Sequence, residues 1–208
     1  MLDIVYIIMC IRYKMQPLLK KNDLKLFSEY LDKLNNDDIY FEFGSGGSTY
    51  HACMRENINT VISVESDPEW FERVSKSIPF KHKLEYKYID INNKPCTWGR
   101  PGSGATYLQQ KAYSDSILHV DEHKRKNIRM ILIDGRYRVA CCLKCFDVID
   151  ENCVVLFDDF LPRKQYYDVL KFYNIDKQTS DNNMVLMKKK PNTTMDYDTI
   201  RAYECVAD

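Results

Sequence analysis

The chain has 208 residues, of which 45% are hydrophobic and 29% are charged, and this is enough for one compact domain with a sizeable core. Its thirty basic and thirty acidic residues balance, so no net charge attracts nucleic acid or an anionic membrane, and neither partner is expected. We therefore predict a single domain over 1–208, with an N-terminal helical cover at 1–37, a core at 38–190 and a C-terminal tail at 191–208.

Eight cysteines, at positions 10, 53, 96, 141, 142, 145, 153 and 205, are scattered rather than arranged as the dense framework of a small secreted domain. We interpret them as reduced thiols, which predicts an intracellular, cytoplasmic protein. The apolar run 4–11 is too short to span a bilayer, and it has neither the basic leader nor the cleavage site of a secretion signal. It is expected to be a strand or helix that packs on the domain.

Apolar runs alternate along the chain with apolar residues at three- and four-residue spacing, which indicates alternating strands and helices. The predicted helices cover 22–34, with Asn22 as a cap, and 49–56, 68–77, 107–119, 139–149 and 163–173. The predicted strands cover 39–43, 60–65, 84–90, 130–134, 153–159, 175–180 and 184–189, and the last two form a hairpin. This order predicts an α/β fold with a Rossmann-like, doubly wound, seven-stranded and mostly parallel sheet that ends in an antiparallel hairpin.

A glycine-rich turn follows the first predicted strand. Gly44, Gly46 and Gly47 permit a sharp backbone path and the close approach of a ligand, and Ser48 and Thr49 suit the start of a helix. In a doubly wound sheet the free N–H groups of such a turn face the usual nucleotide position. A dinucleotide fingerprint would have a third glycine where Thr49 stands, which disfavours an NAD-dependent oxidoreductase. A tight connection without a ligand is the alternative.

Acidic residues end several predicted strands. Glu65 lies about 20 residues after the glycine turn, where a carboxylate accepts hydrogen bonds from ribose hydroxyls; the alternative is a surface carboxylate before a helix start. Asp134 ends the fourth strand, and Asp158 and Asp159 end the fifth. Because the carboxyl ends of parallel strands meet at one sheet edge, these acids are expected to face one crevice.

The long loop at 91–106 contains Trp98 and Arg100, and loops of this length are often functional. An aromatic ring beside a cation suits a sugar ring or an acidic group; the alternative is a surface loop anchored by a buried Trp98. Arg136 and Arg138 follow Asp134 and are placed to orient an anionic acceptor, although a structural ion pair is the expected role of at least one.

Taken together, these motifs resemble the class I S-adenosylmethionine-dependent methyltransferases, and more narrowly a group that includes plant glucuronoxylan O-methyltransferases. The resemblance rests on Glu42 two positions before Gly44-x-Gly46, and on the stretches 40–49, 98–101, 134–141 and 158–160, followed by Arg163 and Tyr166. It implies the class I methyltransferase fold, S-adenosylmethionine as methyl donor, and a hydroxyl acceptor on a sugar or another small molecule. The cofactor contacts that it implies are Glu42, Gly44, Ser45, Gly46, Gly47, Ser48, Thr49, Glu65, Ser66 and Asp90, with Asp90 near the adenine, and the substrate contacts are Trp98, Arg100 and Arg136.

Methyl transfer to oxygen requires alignment of the acceptor and removal of its proton. Asp134 is the candidate base, with Asp158 beside it as a second catalytic carboxylate. Alternatively, Asp134, Asp158 and Asp159 resemble the oxygen cluster with which some O-methyltransferases bind a divalent cation such as Mg²⁺, although those enzymes usually have Asn where Asp159 stands. Capping of the next helix is the simplest role for Asp158 and Asp159. An inactive, methyltransferase-like binding module is the other open interpretation.

Overall fold

The computed structural model of the protein describes residues 15–94, 98–181 and 183–207. The predictions for the apolar run 4–11 and for the middle of the last hairpin turn, at Asn182, lie outside the described residues.

The described residues form seven strands: Ile39–Phe43 (β1), Thr60–Glu65 (β2), Leu84–Tyr88 (β3), Ile128–Ile133 (β4), Val154–Phe157 (β5), Tyr173–Gln178 (β6) and Val185–Lys189 (β7). They make one sheet in the order β3-β2-β1-β4-β5-β7-β6. The first five strands run parallel, and β7 runs antiparallel to both β5 and β6. The predicted α/β fold, with a mostly parallel seven-stranded sheet and a C-terminal antiparallel hairpin, is confirmed.

The described helices are Lys21–Leu31 (α1), Gly47–Cys53 (α2), Pro68–Ser77 (α3), Tyr107–Asp115 (α4), Glu122–Arg125 (α5), Arg138–Cys145 (α6) and Tyr197–Tyr203 (α7), with 3₁₀ helices at Lys81–Lys83 and Lys164–Lys171. The prediction for α3 has the observed bounds. The helix predicted over 163–173 is instead a 3₁₀ helix, and those predicted over 107–119 and 139–149 end earlier. None of the helices in the described part of the chain is long and apolar enough to cross a membrane.

Both faces of the sheet are covered, as is usual for parallel strands. All five residues of β1 are buried. Phe41 and Phe43 face one core layer, which extends to the cysteine-rich helix α6, while Tyr40 faces the other layer beside Phe27 of α1. Glu42 lies on the same side as Tyr40, so a carboxylate is buried within the apolar layer.

The predicted cap of α1 is wrong. The helix begins at Lys21, and its N-cap residue Lys20 makes no side-chain capping bond. The Asn22 amide instead donates to Ser180 Oγ and Asp181 Oδ1, both at 2.8 Å. The side chain therefore attaches α1 to the residues after β6, and a long-range contact has replaced the local one.

The predicted C-terminal tail contains a helix, α7. Asp196 caps its first turn, and Ile200 is buried in the core. Glu204 follows the helix and forms an ion pair of 2.7 Å with Lys144 of α6, and both side chains are only 4% exposed. Buried charges are tolerated only when each has a partner, so this pair fixes α7 against α6.

The described cysteines are free thiols, five of them buried. Burial raises the pKa of the Cys142 and Cys145 thiols, which makes them unreactive. This agrees with the prediction of reduced thiols.

The turns that follow β1 and β4 touch backbone to backbone. Gly44 has φ of +91°, and a Cβ atom at Gly44 would lie 2.7 Å from Gly135 Cα. A Cβ atom at Gly135 would lie 2.1 Å from the hydroxyl of Tyr113. Only glycine fits at these two positions, and their contact brings the glycine-rich turn beside Asp134.

Candidate functional site

The predicted site residues meet at the carboxyl edge of the sheet. The glycine-rich turn leaves β1, Glu65 ends β2, Asp134 follows β4, and Asp158 follows β5. The chain order of the strands reverses between β1 and β4, and in doubly wound sheets ligands bind in the crevice at such a switch point.

Glu65 joins the glycine-rich turn to the start of α3. One carboxylate oxygen accepts from Ser45 N at 3.1 Å and from Ser45 Oγ at 2.7 Å, and the other accepts from Ser66 N and Asp67 N at 2.7 and 2.8 Å. Burial raises the pKa of Glu65, and these hydrogen bonds oppose the shift. Because a carboxylate has about four acceptor positions, a ribose hydroxyl at Glu65 must replace one donor, most simply Ser45 Oγ.

Of the last two glycines, only Gly46 has room for a side-chain atom. A Cβ atom at Gly47 would lie 2.1 Å from Pro17 N, so the chain segment at Gln16 and Pro17 fills the space beside it. At Gly46 the nearest atoms belong to the Trp70 ring, 3.7 Å away. The prediction that glycines make room for a ligand therefore applies best to Gly46.

Glu42 supports the turn from below rather than facing the crevice. The side chain is fully buried, and it accepts hydrogen bonds from the hydroxyls of Tyr40, at 2.7 Å, and Thr49. Thr49 Oγ1 in turn accepts from Gly46 N at 2.9 Å. Burial raises the pKa of Glu42 to about 7. Thr49, which stands at the third glycine position of a dinucleotide motif, thus connects the turn to a buried acid, and Ser48 is buried beside it.

Asp90 lies apart from the strand that was predicted to end there. β3 ends at Tyr88, and the exposed Asp90 accepts a hydrogen bond of 2.8 Å from Asn92 N. The carboxylate therefore caps the turn after β3, and a contact with the adenine stays a prediction.

Asp134 and Asp158 lie side by side at the ends of β4 and β5. Burial raises the pKa of both carboxyl groups, in Asp158 to about 8, and the repulsion of the neighbouring acid adds to the Asp158 shift. Asp158 Oδ1 accepts from the Asn183 amide at 2.8 Å, and Asn183 also donates to the buried Asp23 of α1. The second acid is thus held by the helical cover of the sheet.

Arg138 lies between the carboxylates of Asp134 and Asp159. Its guanidinium nitrogens are 3.1 Å from Asp134 Oδ1 and 3.5 Å from Asp159 Oδ2. It also donates to the carbonyl oxygens of Gly135, at 3.0 Å, and Asp158, at 2.8 Å. Tyr137, with φ of +52°, turns the chain immediately before Arg138. The structural ion pair that the sequence suggested is formed by Arg138.

The predicted metal site is not formed. In residues 15–94, 98–181 and 183–207, no group of three His, Cys, Asp or Glu side chains is placed to hold a metal ion. Asp158 is directed to Asn183, and the Arg138 guanidinium lies between Asp134 and Asp159. These carboxylates therefore do not fit the Mg²⁺ cluster that the sequence suggested.

The predicted substrate residues line one cavity. Trp98, Arg100 and Arg136 surround a volume of about 360 Å³ together with Arg163. Trp98 is 74% exposed, so the alternative of a loop anchored by a buried tryptophan is wrong. The loop also contacts the residue that follows β2, because Ser66 Oγ donates to Gly99 O at 3.2 Å.

Arg163 is the lining residue that reasoning from residue chemistry missed. It forms an ion pair of 2.8 Å with Asp159 and donates to the Tyr166 hydroxyl at 2.7 Å. The four-residue spacing from Asp159 was a usable signal for this pair. Arg163 thereby connects the strand-end acids to the cavity.

A larger cavity of about 530 Å³ runs along α3. It is lined by a mixture of acidic and basic side chains, and none of the predicted site residues belongs to its lining, which consists of Pro68, Glu69, Glu72, Arg73, Lys76 and Lys94. It lies outside the candidate site.

Several solved structures share this fold. A methyltransferase-like protein from Silicibacter pomeroyi superposes with a TM-score of 0.76 and 21% identity, over 93% of this chain and 99% of its own. An RNA methyltransferase from Salinibacter ruber, in complex with S-adenosyl-L-homocysteine, superposes with a TM-score of 0.53 and 14% identity, over 86% of this chain and 99% of its own. A candidate O-methyltransferase from Klebsiella pneumoniae superposes with a TM-score of 0.54 and 10% identity, over 89% of this chain and 88% of its own. No protein-family model and no curated protein matches the sequence. The comparisons therefore show the fold of methyltransferases.

The buried Glu42 predicts an unusual pH dependence of stability. Its pKa of about 7 in the folded protein lies above the ordinary value of 4.5, so between these values the folded state binds one more proton than the unfolded state. Stability should then fall as pH rises, by about 1.4 kcal/mol per pH unit. Glu42→Gln removes this pH-dependent contribution to stability. In urea unfolding, the free energy of unfolding of the variant should therefore rise relative to that of the wild type as the pH increases from about 5 to 8.

Glu29→Gln is the matched control. Glu29 is exposed, and hydrogen bonds from Lys33 and Lys177 lower its pKa, so its contribution is complete above the ordinary pKa and constant over this range. A constant difference in unfolding free energy between wild type and Glu42→Gln from pH 5 to pH 8 would contradict the assignment.

Proposed function

We propose that the protein transfers a methyl group from S-adenosylmethionine to a hydroxyl oxygen of a small acidic molecule, such as an acidic sugar. The observation that carries this proposal is the position of Asp134. It lies at the switch point beside the glycine-rich turn, and Arg136, two residues later, lines the arginine-rich cavity.

The cofactor side is supported by the turn and by Glu65. Gly46 has room for a side-chain atom beside the Trp70 ring, and Ser45 and Glu65 offer polar groups at the turn. The Salinibacter ruber RNA methyltransferase, which shares the fold, is in complex with S-adenosyl-L-homocysteine. We assign the methionine end of the ligand to Gly46 and the ribose to Ser45 and Glu65.

The acceptor side is supported by the charge of the cavity. Arg100, Arg136 and Arg163 line it together with the exposed ring of Trp98. A guanidinium group binds a carboxylate or phosphate through two parallel hydrogen bonds, and an aromatic ring offers an apolar face with low conformational entropy cost. An anionic acceptor with a ring or apolar side fits this lining better than a neutral one.

The chemistry assigned to the chain is the placement of an oxygen and the removal of its proton. When bound, S-adenosylmethionine supplies an activated methyl group: the acceptor oxygen forms the new bond to carbon as the sulfur–carbon bond breaks. The proton of the hydroxyl passes to the Asp134 carboxylate, which Arg138 holds at 3.1 Å. Asp158 is the adjoining catalytic carboxylate, held by Asn183.

Other functions are less well supported. For NAD the turn has Thr49 at the third glycine position, and its hydroxyl is engaged by Glu42 and Gly46. An RNA methyltransferase, a candidate rRNA methylase and a candidate tRNA methyltransferase share the fold, but the balanced charge of this chain offers no general attraction to a polyanion. Binding of NAD and methyl transfer to RNA are therefore alternative outcomes of the tests below.

The first test is cofactor binding. Calorimetry should detect S-adenosyl-L-homocysteine bound to the wild type, and Gly46→Val should weaken this binding at least about tenfold, or 1.4 kcal/mol, because the added methyl groups would occupy the side of the turn that we assign to the ligand. Thermal unfolding checks that the variant folds. Binding of NAD in place of S-adenosyl-L-homocysteine would instead indicate an oxidoreductase.

The second test compares acceptors that differ only in charge. Methyl transfer should be measured to a glucuronate-containing oligosaccharide and to its glucose-containing counterpart, and only the first should react well. Arg100→Gln and Arg136→Gln should each lower kcat/KM for the acid by about 10- to 100-fold, the scale of a hydrogen bond to a charged group. Arg201→Gln is the control, since its side chain is exposed on α7. Equal transfer to the neutral sugar, or transfer to RNA alone, would reject the acidic acceptor.

The third test concerns the base. Asp134→Asn should keep the affinity for S-adenosyl-L-homocysteine while it lowers methyl transfer about 100-fold, the usual effect of losing a general base. Asp176→Asn, at an exposed ion pair of β6, should change neither quantity. Full activity of Asp134→Asn would leave Asp134 as a partner of Arg138 only. Cofactor binding without transfer to any acceptor would favour an inactive binding module.

A further inference from the structure

The Arg138 guanidinium is surrounded by oxygen atoms from three strand-end residues and a turn. Its contacts are the Asp134 and Asp159 carboxylates, at 3.1 and 3.5 Å, and the carbonyl oxygens of Gly135, Asp158 and Asp134, at 3.0, 2.8 and 3.3 Å. A guanidinium group has five N–H donors. Five oxygen atoms lie within 3.5 Å of the guanidinium nitrogens, so hydrogen bonds and ion pairs hold the group in place.

These oxygen atoms are the ligands that a hard divalent cation uses. Mg²⁺ and Ca²⁺ are bound by carboxylates and backbone carbonyls, and the Arg138 contacts comprise two of the former and three of the latter. Arg138 is buried, with 5% of its side chain exposed. A metal ion in this position would have to displace a buried arginine, which would then lose its partners at a high cost.

The charges around Arg138 are already compensated. Asp159 is shared between Arg138 and Arg163, and Asp134 pairs with Arg138. Two guanidinium groups therefore face these two carboxylates, while Asp158 is hydrogen-bonded by Asn183. This arrangement lacks the excess of negative charge that draws a divalent cation to a carboxylate cluster.

We infer that Arg138 is a built-in cation that closes the carboxylates of Asp134 and Asp159 to divalent metal ions. It neutralises and orients these acids through fixed hydrogen bonds, as a bound cation would do in a metal-dependent relative. The chain therefore works without a metal at this position. This statement concerns metal affinity and holds whether or not methyl transfer is the reaction.

The test is a titration with Mn²⁺ followed by electron paramagnetic resonance, in which bound ions lose the signal of free Mn²⁺. The wild type should show no stoichiometric site, and Asp134→Asn should leave its titration unchanged. Arg138→Ala vacates the position and should bind one Mn²⁺ per chain, about tenfold or more tighter than the wild type. The double variant Arg138→Ala with Asp134→Asn should lose that site.

Arg163→Ala is the matched control, because it removes the other arginine at Asp159 while Arg138 keeps its position. It should gain no comparable site. Circular dichroism and urea unfolding establish that each variant folds. If Arg138→Ala does not fold, the Mn²⁺ titrations of the wild type and of Asp134→Asn decide whether the inference holds.

Three results would overturn the inference. One is a stoichiometric Mn²⁺ site in the wild type that Asp134→Asn removes. Another is a folded Arg138→Ala protein that binds Mn²⁺ no better than the wild type. The third is a gain in Arg163→Ala equal to that in Arg138→Ala. Where an acceptor is known, a chelator should leave wild-type methyl transfer unchanged; loss of transfer on chelation, restored by a divalent ion, would count against it in the same way.

Discussion

The contact between Gly44 and Gly135 is the constraint on which the site depends. Two parallel strands lie about 4.8 Å apart, and the turns that leave them normally diverge to make room for side chains. Here neither turn has a Cβ atom at the point of contact, and the backbones meet within van der Waals distance. The glycine-rich turn and Asp134 are consequently neighbours, although 90 residues separate Gly44 from Asp134 in the sequence. The acids after β4 and β5 then lie at the switch point beside the glycine-rich turn.

Buried carboxylates hold this edge together in two different ways. Glu42 and Glu65 accept hydrogen bonds from hydroxyl and backbone donors, which offset the cost of removing a charge from water. Burial is the main cause of the raised pKa of Glu42, and the hydrogen bonds from neutral hydroxyls oppose the shift. Asp134 and Asp159 rely on a guanidinium group instead. The first arrangement stabilises a turn, and the second leaves each acid about one-third exposed and therefore accessible to a substrate.

The sequence predicted the parts of the fold that depend on local patterns. β2 and α3 have the predicted bounds because a run of β-branched residues and an Asp-Pro start are strong local signals. Asn22 also carried a capping signal, yet its amide binds residues after β6, since a long-range partner competes for the same donor. α7 was missed because it is short and depends on the pair between Glu204 and Lys144, 60 residues apart.

The distinction between local sequence signals and long-range contacts also applies to the site. Trp98, Arg100 and Arg136 were predicted because each carries recognisable chemistry, and the structure gathers them around one cavity. The packing of Gln16 and Pro17 against Gly47 had no local signal, since a glycine that admits a ligand and one that admits another chain segment read alike. The metal prediction failed for a related reason. Three acids at strand ends suggest a cation, and the sequence did not reveal that the cation is an arginine that starts the next helix.

Asp159 connects the strand-end acids to the cavity through its ion pairs with Arg138 and Arg163. Its backbone has φ of +56°, a conformation that Asp tolerates better than most residues. In this conformation one carboxylate oxygen meets both Arg138, on the side of Asp134, and Arg163, on the side of the cavity. An amide at this position would lack the charge to hold two guanidinium groups, and Arg163 would then keep only Tyr166 among these partners. The aspartate that departs from the metal-binding pattern is therefore the residue that holds two arginines, Arg138 beside Asp134 and Arg163 at the cavity.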